Sequence, residues 1–370
     1  MMKSADLASQ FDDVIDLSLG DPDLDTDDRI IDAAFQDVKN GYTHYAPALG
    51  DPDLIQAIQD EYHSIYHYSV ETDQIMVTAS GCHAMWLVLE TILDPEDEVL
   101  IFSPYFTPYP EQIKLAQGKP VIVPLREENG FQIDIAQLRT YITEKTKAIL
   151  INTPCNPTGV CLDISVLEAI RDIAIEYDLL VIADDIYTLY TYKSAFVPIM
   201  TLRGMCEHTI TIRSFSKDYC MSGWRIGCVV APKPIIQAMR TVNENNVFVA
   251  PAMSQRAAYH ALRLKDVVQP DIQAVFKARA DYIYERVQKI SYISMLPPEG
   301  TIYTFLNIQK TGLTSQEFAD RLFTKYHISV VPGSAFGPTG EGYVRIAQRV
   351  DIPTFKRIFD LLEQDAEWNR

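Results

Sequence analysis

The residue of this sequence that is hardest to place without a partner is Lys217. It follows Ser216 just beyond the apolar stretch Ile210–Ile212, where a bare cation is expensive to bury. An amine in that position becomes useful once condensed with an aldehyde. Arg225, eight residues further on, suits a phosphate together with Ser214 and Ser216. A lone lysine is ordinarily a solvated surface group, but the whole string SFSKDYCMSGWRIG at 214–227 argues against that here.

Four other clusters carry chemistry. Ala79, Ser80, Gly81, Cys82 and His83 form a small-residue turn between a strand and a helix. Such a turn aims backbone N–H groups and the helix dipole at an anion, although a tight turn without a ligand has the same sequence. Asn156 opens an Asn-Pro-Thr-Gly turn four residues after Asn152, and its amide either donates to a ring oxygen or caps its own backbone. Asp184, Asp185 and Tyr187 end an apolar run; two carboxylates there suit either one organic ligand or a divalent metal. Arg345 lies inside the apolar stretch Tyr343–Ala347 and needs an anion, from a substrate carboxylate or from an internal salt bridge. His63 and His67 are four apart with no third ligand apparent, so they read as ordinary surface or boundary residues.

These residues need a scaffold, and the apolar runs supply one. Strands are expected at Gln74–Thr78, Glu98–Phe102, Pro120–Pro124, Ala148–Asn152, Leu179–Asp184, Thr209–Arg213 and Arg225–Val230. Helices fit the gaps at His83–Leu93, Tyr109–Gln117, Ile135–Tyr141 and Ile164–Tyr177, after an earlier one at Arg29–Lys39. Alternation of this kind predicts an α/β fold with a mainly parallel seven-stranded sheet covered on both faces. A helix-rich region from Met253 to Lys289 then leads to strands at Thr301–Ile308, Ile328–Val331 and Gly342–Ala347, and to helices at Ser315–Tyr326 and Asp351–Glu363. That reads as a smaller α+β domain. The expected division is an arm and part of the small domain over 1–40, the large domain over 41–265 and the small domain over 266–370. The polar clusters fall where strands of the large sheet end, the usual ligand-binding edge of such folds.

Composition sets the class of partner. With 32 basic and 50 acidic residues the formal charge is -18, which disfavours nucleic acid and anionic lipid. The six cysteines form no CxxC pair and no zinc-like cluster, so a reduced cytoplasmic compartment is expected and no metal. The first residues turn acidic before any apolar run, unlike a secretory signal, and no stretch approaches the length of a membrane span.

Taken together, these strings resemble the class I/II aminotransferases of the aspartate-aminotransferase fold, fold type I of the pyridoxal-phosphate enzymes. The resemblance runs from about Leu17 to Ala347. It also draws on LGDPD at 19–23, YAPALG at 45–50, SPYF at 103–106 and Pro332–Gly333. It implies pyridoxal phosphate on Lys217, with Asp184 at the pyridine nitrogen and Tyr187 and Asn156 at the ring's phenolic oxygen. Phe106 would stack on the ring. Gly81, Cys82, Ser214, Ser216 and Arg225 would hold the phosphate, with His83 beside them. Tyr45 would reach the phosphate of the neighbouring subunit, which requires a homodimer. Arg345 would bind the substrate α-carboxylate, with Gly20 and Asn156 lining the same end. Lys217 would then serve as both base and acid in moving an amino group from an L-amino acid, aspartate-like or aromatic, to a 2-oxo acid such as 2-oxoglutarate.

The sequence departs from the family pattern at Asp185, where relatives usually carry Glu, at Cys82–His83, at Cys155 and at Gln348–Arg349. The same anchors serve carbon–sulfur β-lyases of the cystathionine-cleaving type and aminocyclopropane-carboxylate-synthase-like enzymes. Thiol, pyruvate and ammonia released from cystathionine would mark the lyase. A reading of another class, a non-catalytic pyridoxal-phosphate sensor, would show no absorbance of a lysine-bound cofactor.

Overall fold

Runs of Val, Ile and Leu with no polar face must be buried on both sides, and here they pair with one another. The computed structural model describes residues 13–365, so the reading of the first twelve residues lies outside the described part. Its strands are β1 (Ile15–Asp16), β2 (Ile75–Thr78), β3 (Glu98–Ser103), β4 (Lys119–Pro124), β5 (Thr146–Asn152), β6 (Leu180–Asp184), β7 (Thr209–Ser214), β8 (Gly227–Val230), β9 (Tyr303–Asn307), β10 (Ile328–Ser329), β11 (Val331–Pro332) and β12 (Tyr343–Ala347). All seven expected strands of the large domain join one sheet in the order β2-β8-β7-β6-β5-β3-β4. The pairs from β7 through β6, β5 and β3 to β4 are parallel, while β8 runs antiparallel to both β2 and β7.

Both faces of the sheet are covered. On one, Leu87 and Val88 of helix Gly81–Ile92, Ile113 and Met239 pack on Ile101, Leu150, Ile182 and Ile212. On the other, Leu167, Ile170 and Ile173 of helix Ile164–Tyr177 pack on Leu100, Ile149, Ile151 and Val181. Each aliphatic side chain buried in this way contributes roughly 1.5–3 kcal/mol.

The smaller sheet, β11-β12-β9, is antiparallel and places Arg345 opposite Phe305. The expected single strand at Ile328–Val331 is divided: Ile328 and Ser329 pair in parallel with β1, and Val331 and Pro332 pair with β12. The region from Met253 to Lys289 is two helices, Ala252–Arg263 and Lys265–Val287. Helix Pro52–Tyr66 was not among the expected helices. Asp51 caps it by accepting the Asp53 N–H at 2.9 Å, and Pro52 occupies its first turn, so GDPD at 50–53 starts a helix rather than only turning the chain. Among the described residues no helix is long and apolar enough to cross a membrane.

Candidate active site

Parallel strands bring their carboxyl ends to one edge, so the polar residues that terminate β5, β6 and β7 meet there. A cavity of about 130 Å³ lies at this edge, and Gly81, Cys82, Phe106, Asp184, Tyr187, Ser214, Ser216, Lys217 and Arg225 all line it, with Ser80, Tyr109, Asn152 and Ile186.

One end of the cavity is built for an anion. Gly81 opens helix Gly81–Ile92, whose cap, Ser80, accepts the His83 N–H at 3.1 Å. Ser214 Oγ lies 3.0 Å from Ser216 Oγ. Arg225 has φ +53° and donates to the Ser222 carbonyl at 2.7 Å. The helix start is pressed against β8: a Cβ at Gly227 would meet the Gly81 backbone nitrogen at 2.9 Å. The free N–H groups of a first turn with hydroxyls and a guanidinium beside them are a phosphate site in chemical terms.

The other end holds an unsatisfied acid. Asp184 is buried, Oδ2 accepts the Tyr109 hydroxyl, and Oδ1 has no partner. Burial pushes this carboxyl up to about 7, against the hydrogen bond from Tyr109, which lowers it. Asn152 donates to the Asp184 carbonyl at 2.8 Å and fixes the strand end. Asp185 does not line the cavity; burial first and Asp184 second raise its pKa, and Arg213 opposes them. Among the described residues no group of three His, Cys, Asp or Glu is placed to hold a metal ion.

Beside the cavity, hydrogen bonds link Tyr187, Asn156 and Arg345. Asn156 Nδ2 donates to Tyr187 Oη at 3.4 Å, and Arg345 Nη1 donates to Asn156 Oδ1 at 3.1 Å. Arg345 is 1% exposed; Nη2 donates to the Ser18 carbonyl at 2.6 Å, and Nε is buried without a partner. Its hydrogen-bond acceptors are thus neutral, and burial lowers its pKa. A guanidinium held this way favours an incoming carboxylate over the internal salt bridge that the sequence left open. Lys217 Nζ donates to the Gly20 carbonyl, which brings Gly20 to the lysine.

Two expected residues, His83 and Tyr45, neither line the cavity nor join the hydrogen-bonded groups beside it. The His83 ring turns back, accepts the Ala79 N–H at Nδ1 (3.2 Å) and stacks on Trp86 at 6.1 Å. Burial lowers its pKa and favours the neutral form. Tyr45 is 82% exposed and stands edge-on to Phe248, at 5.1 Å between ring centres.

Two tyrosines enter the site without having been expected in these roles. Tyr109 holds Asp184, although the sequence marks it only as the start of an expected helix. Tyr303 places its hydroxyl 3.2 Å from that of Tyr187, and its ring lies 4.4 Å from the Arg345 guanidinium carbon. The available signal was positional: Tyr109 starts a helix just after SPYF, and Tyr303 starts the strand that pairs with the one carrying Arg345.

The model of aminotransferase class I and II matches residues 12–359. The chain is 39% identical to an aspartate aminotransferase of Pyrococcus abyssi over 98% of this chain and 94% of that one. It is 36% identical to aromatic-amino-acid aminotransferase 2 of Thermococcus litoralis, again over 98% and 94%. The crystal structure of an aromatic aminotransferase from Pyrococcus horikoshii superposes with a TM-score of 0.92 at 35% identity, covering 97% of each chain. A helix-start anion site, a buried acid facing the same cavity and a lysine between turns agree with that match along nearly the whole sequence: the chain belongs to the class I and II aminotransferases.

Proposed function

We propose that this aminotransferase takes the amino group of an aspartate-like or aromatic L-amino acid, passes it to a 2-oxo acid such as 2-oxoglutarate, and holds pyridoxal phosphate on Lys217. The observation that carries this reading is Asp184 Oδ1, a buried acceptor without a partner on the wall of a cavity whose far end is an anion site. A protonated ring nitrogen satisfies the first and a phosphate the second. When bound, the cofactor withdraws electrons from the substrate α-carbon, which is the chemistry the protein's own side chains lack.

The protein's tasks then follow residue by residue. Asp184, ionised against the ring nitrogen and held by Tyr109, keeps that nitrogen protonated. Tyr187 and Asn156 donate toward the ring oxygen, and Phe106, edge-on to Tyr109 at 5.5 Å, covers the ring. Gly81, Cys82, Ser214, Ser216 and Arg225 bind the phosphate. Arg345 takes the α-carboxylate and orients the α-hydrogen toward Lys217, whose free Nζ removes the proton and returns it two atoms along, at the cofactor's C4′ carbon. Tyr45 points out of its own site and serves the neighbouring subunit of a homodimer. A second, smaller cavity of about 30 Å³ beside Asn156 is lined largely by apolar side chains, among them Pro104, Tyr105, Leu125, Phe131 and Val160.

The test is a half-reaction on the purified holoenzyme. Single amino acids are added while the visible band of the lysine-bound cofactor is followed. An aspartate-like or aromatic donor should bleach the band and yield its oxo acid, and 2-oxoglutarate should restore it. A band that persists with every donor, with thiol and pyruvate formed from cystathionine, would instead identify a β-lyase.

A further inference from the structure

Asp218 directly follows the lysine, and the reaction outlined above gives it no task. Its side chain is 2% exposed, a costly place for an acid. Oδ2 accepts the Thr188 hydroxyl at 2.9 Å, and Oδ1 is enclosed without a partner. On the other side of the same peptide, the Lys217 carbonyl accepts the Tyr190 hydroxyl at 2.7 Å. Thr188 and Tyr190 flank the turn that carries Tyr187, which is closed by the Tyr190 N–H on the Tyr187 carbonyl at 2.9 Å. Two side-chain hydrogen bonds therefore bind the lysine turn to the tyrosine turn.

The surroundings make this carboxyl more than a spacer. Arg213 of β7 is paired with Glu61 of helix Pro52–Tyr66. Asp185 and Asp218 feel the same guanidinium, so three buried acids share one cation. A dry interior does not keep all three ionised. Tyr66, Tyr190, Tyr219 and Cys220 complete the titratable groups facing Asp218. Burial pushes the Asp218 carboxyl up to about 7, opposed by Arg213 and Thr188.

We propose that Asp218 is a positioning residue that acts through Lys217. Its carboxyl, clasped by Thr188, holds the lysine turn in register with Tyr187 and so places the nitrogen that moves the proton. The proposal rests on the reading of Lys217 as proton carrier.

The test compares Asp218→Ala, Asp218→Asn and Thr188→Val holoenzymes with wild type by steady-state kinetics. Asp218→Ala and Thr188→Val should lower kcat on the order of tenfold or more, since small misplacements at a reacting atom are costly. KM for the donor should stay within about twofold. Asp218→Asn keeps an oxygen for Thr188 and should recover most of kcat. Thr188→Val preserves side-chain shape and decides the kinetic question if the alanine variant does not fold.

Wild-type kcat in Asp218→Ala would overturn the proposal. So would a loss in Asp218→Ala that Asp218→Asn does not relieve, since the clasp by Thr188 is then not what sets the rate. A wild-type enzyme whose band survives Lys217→Ala would overturn the reading of Lys217 itself, and the proposal with it.

Discussion

At the scale of single residues, the site is a set of polar groups whose burial is tolerable only with partners. Tyr109→Phe removes the one hydrogen bond to the Asp184 carboxyl outside its own backbone region. A hydrogen bond to a charged group contributes about 1.5–3 kcal/mol, so cofactor dissociation should rise on the order of tenfold or more, read by titrating cofactor into stripped protein. Arg345→Lys replaces a planar fork with a point charge. KM for amino donors should climb at least about tenfold, whereas an unchanged KM would place the carboxylate elsewhere. Asp184 also gives a pH effect of definite sign. Its ordinary pKa of 3.8 is raised to about 7 in the folded, cofactor-free chain, so folding holds a proton that the unfolded chain has lost. The stability it contributes is present at low pH and is lost as pH rises from about 4 to about 7. The melting temperature of cofactor-free Asp184→Asn should fall less between pH 5 and pH 8 than that of wild type.

Asp184 and Arg345 stood out because each is a polar residue at the end of or inside an apolar run, Lys217 because it lies just beyond one, and Asn156 because it opens a proline turn just after one. Tyr109 and Tyr303 did not. With 20 tyrosines in the chain, the type carries no signal, and only the fold shows which hydroxyl faces a carboxyl. His83 was misjudged in direction for a local reason: neighbouring residues in a helix's first turn point to different sides, so Cys82 faces the cavity while His83 folds back on Ala79.

At the scale of elements, the anion site depends on a contact between a helix start and a strand. Gly227→Ala would drive a methyl against the Gly81 nitrogen and the Ser80 carbonyl carbon, both 2.9 Å from the new atom. Backbone cannot yield as a side-chain tip does, so the helix start must move. Phosphate-dependent retention of the cofactor should fall while the far-ultraviolet circular dichroism stays near wild type. Retained affinity would show that the helix start does not set the site. Long apolar strands were easy to read because their periodicity and burial agree. Helix Pro52–Tyr66 was obscured because Asp51 and Pro52 serve equally as turn residues and as cap and first turn. The two-residue strands β10 and β11 were merged because nothing local signals a change of pairing partner between Ser329 and Val331.

At the scale of the whole molecule, Tyr45 is the test of the homodimer proposal. An exposed aromatic ring on Phe248, itself half exposed, is poorly used by one chain alone. Mixing Lys217→Ala and Tyr45→Ala proteins under subunit exchange creates one site with an intact lysine and an intact partner tyrosine. Activity should exceed that of either parent, and an inactive mixture would count against shared sites. This level was the least visible in sequence, because an exposed residue has no neighbours in its own chain to reveal its use.

The carbonyl of Ser18 rests on Arg345 at 2.6 Å, close to the β1 end of the chain. It is a tethered competitor for any carboxylate that approaches that guanidinium. Its effective concentration never changes, so an acid seated on the Nη2 edge of the fork competes with it and, on leaving, is followed by its return, while Nε stands without a partner. On the proposed role of Arg345, the same atom weakens binding of substrate and assists release of the oxo acid, which suits an enzyme that must empty its site twice in each cycle.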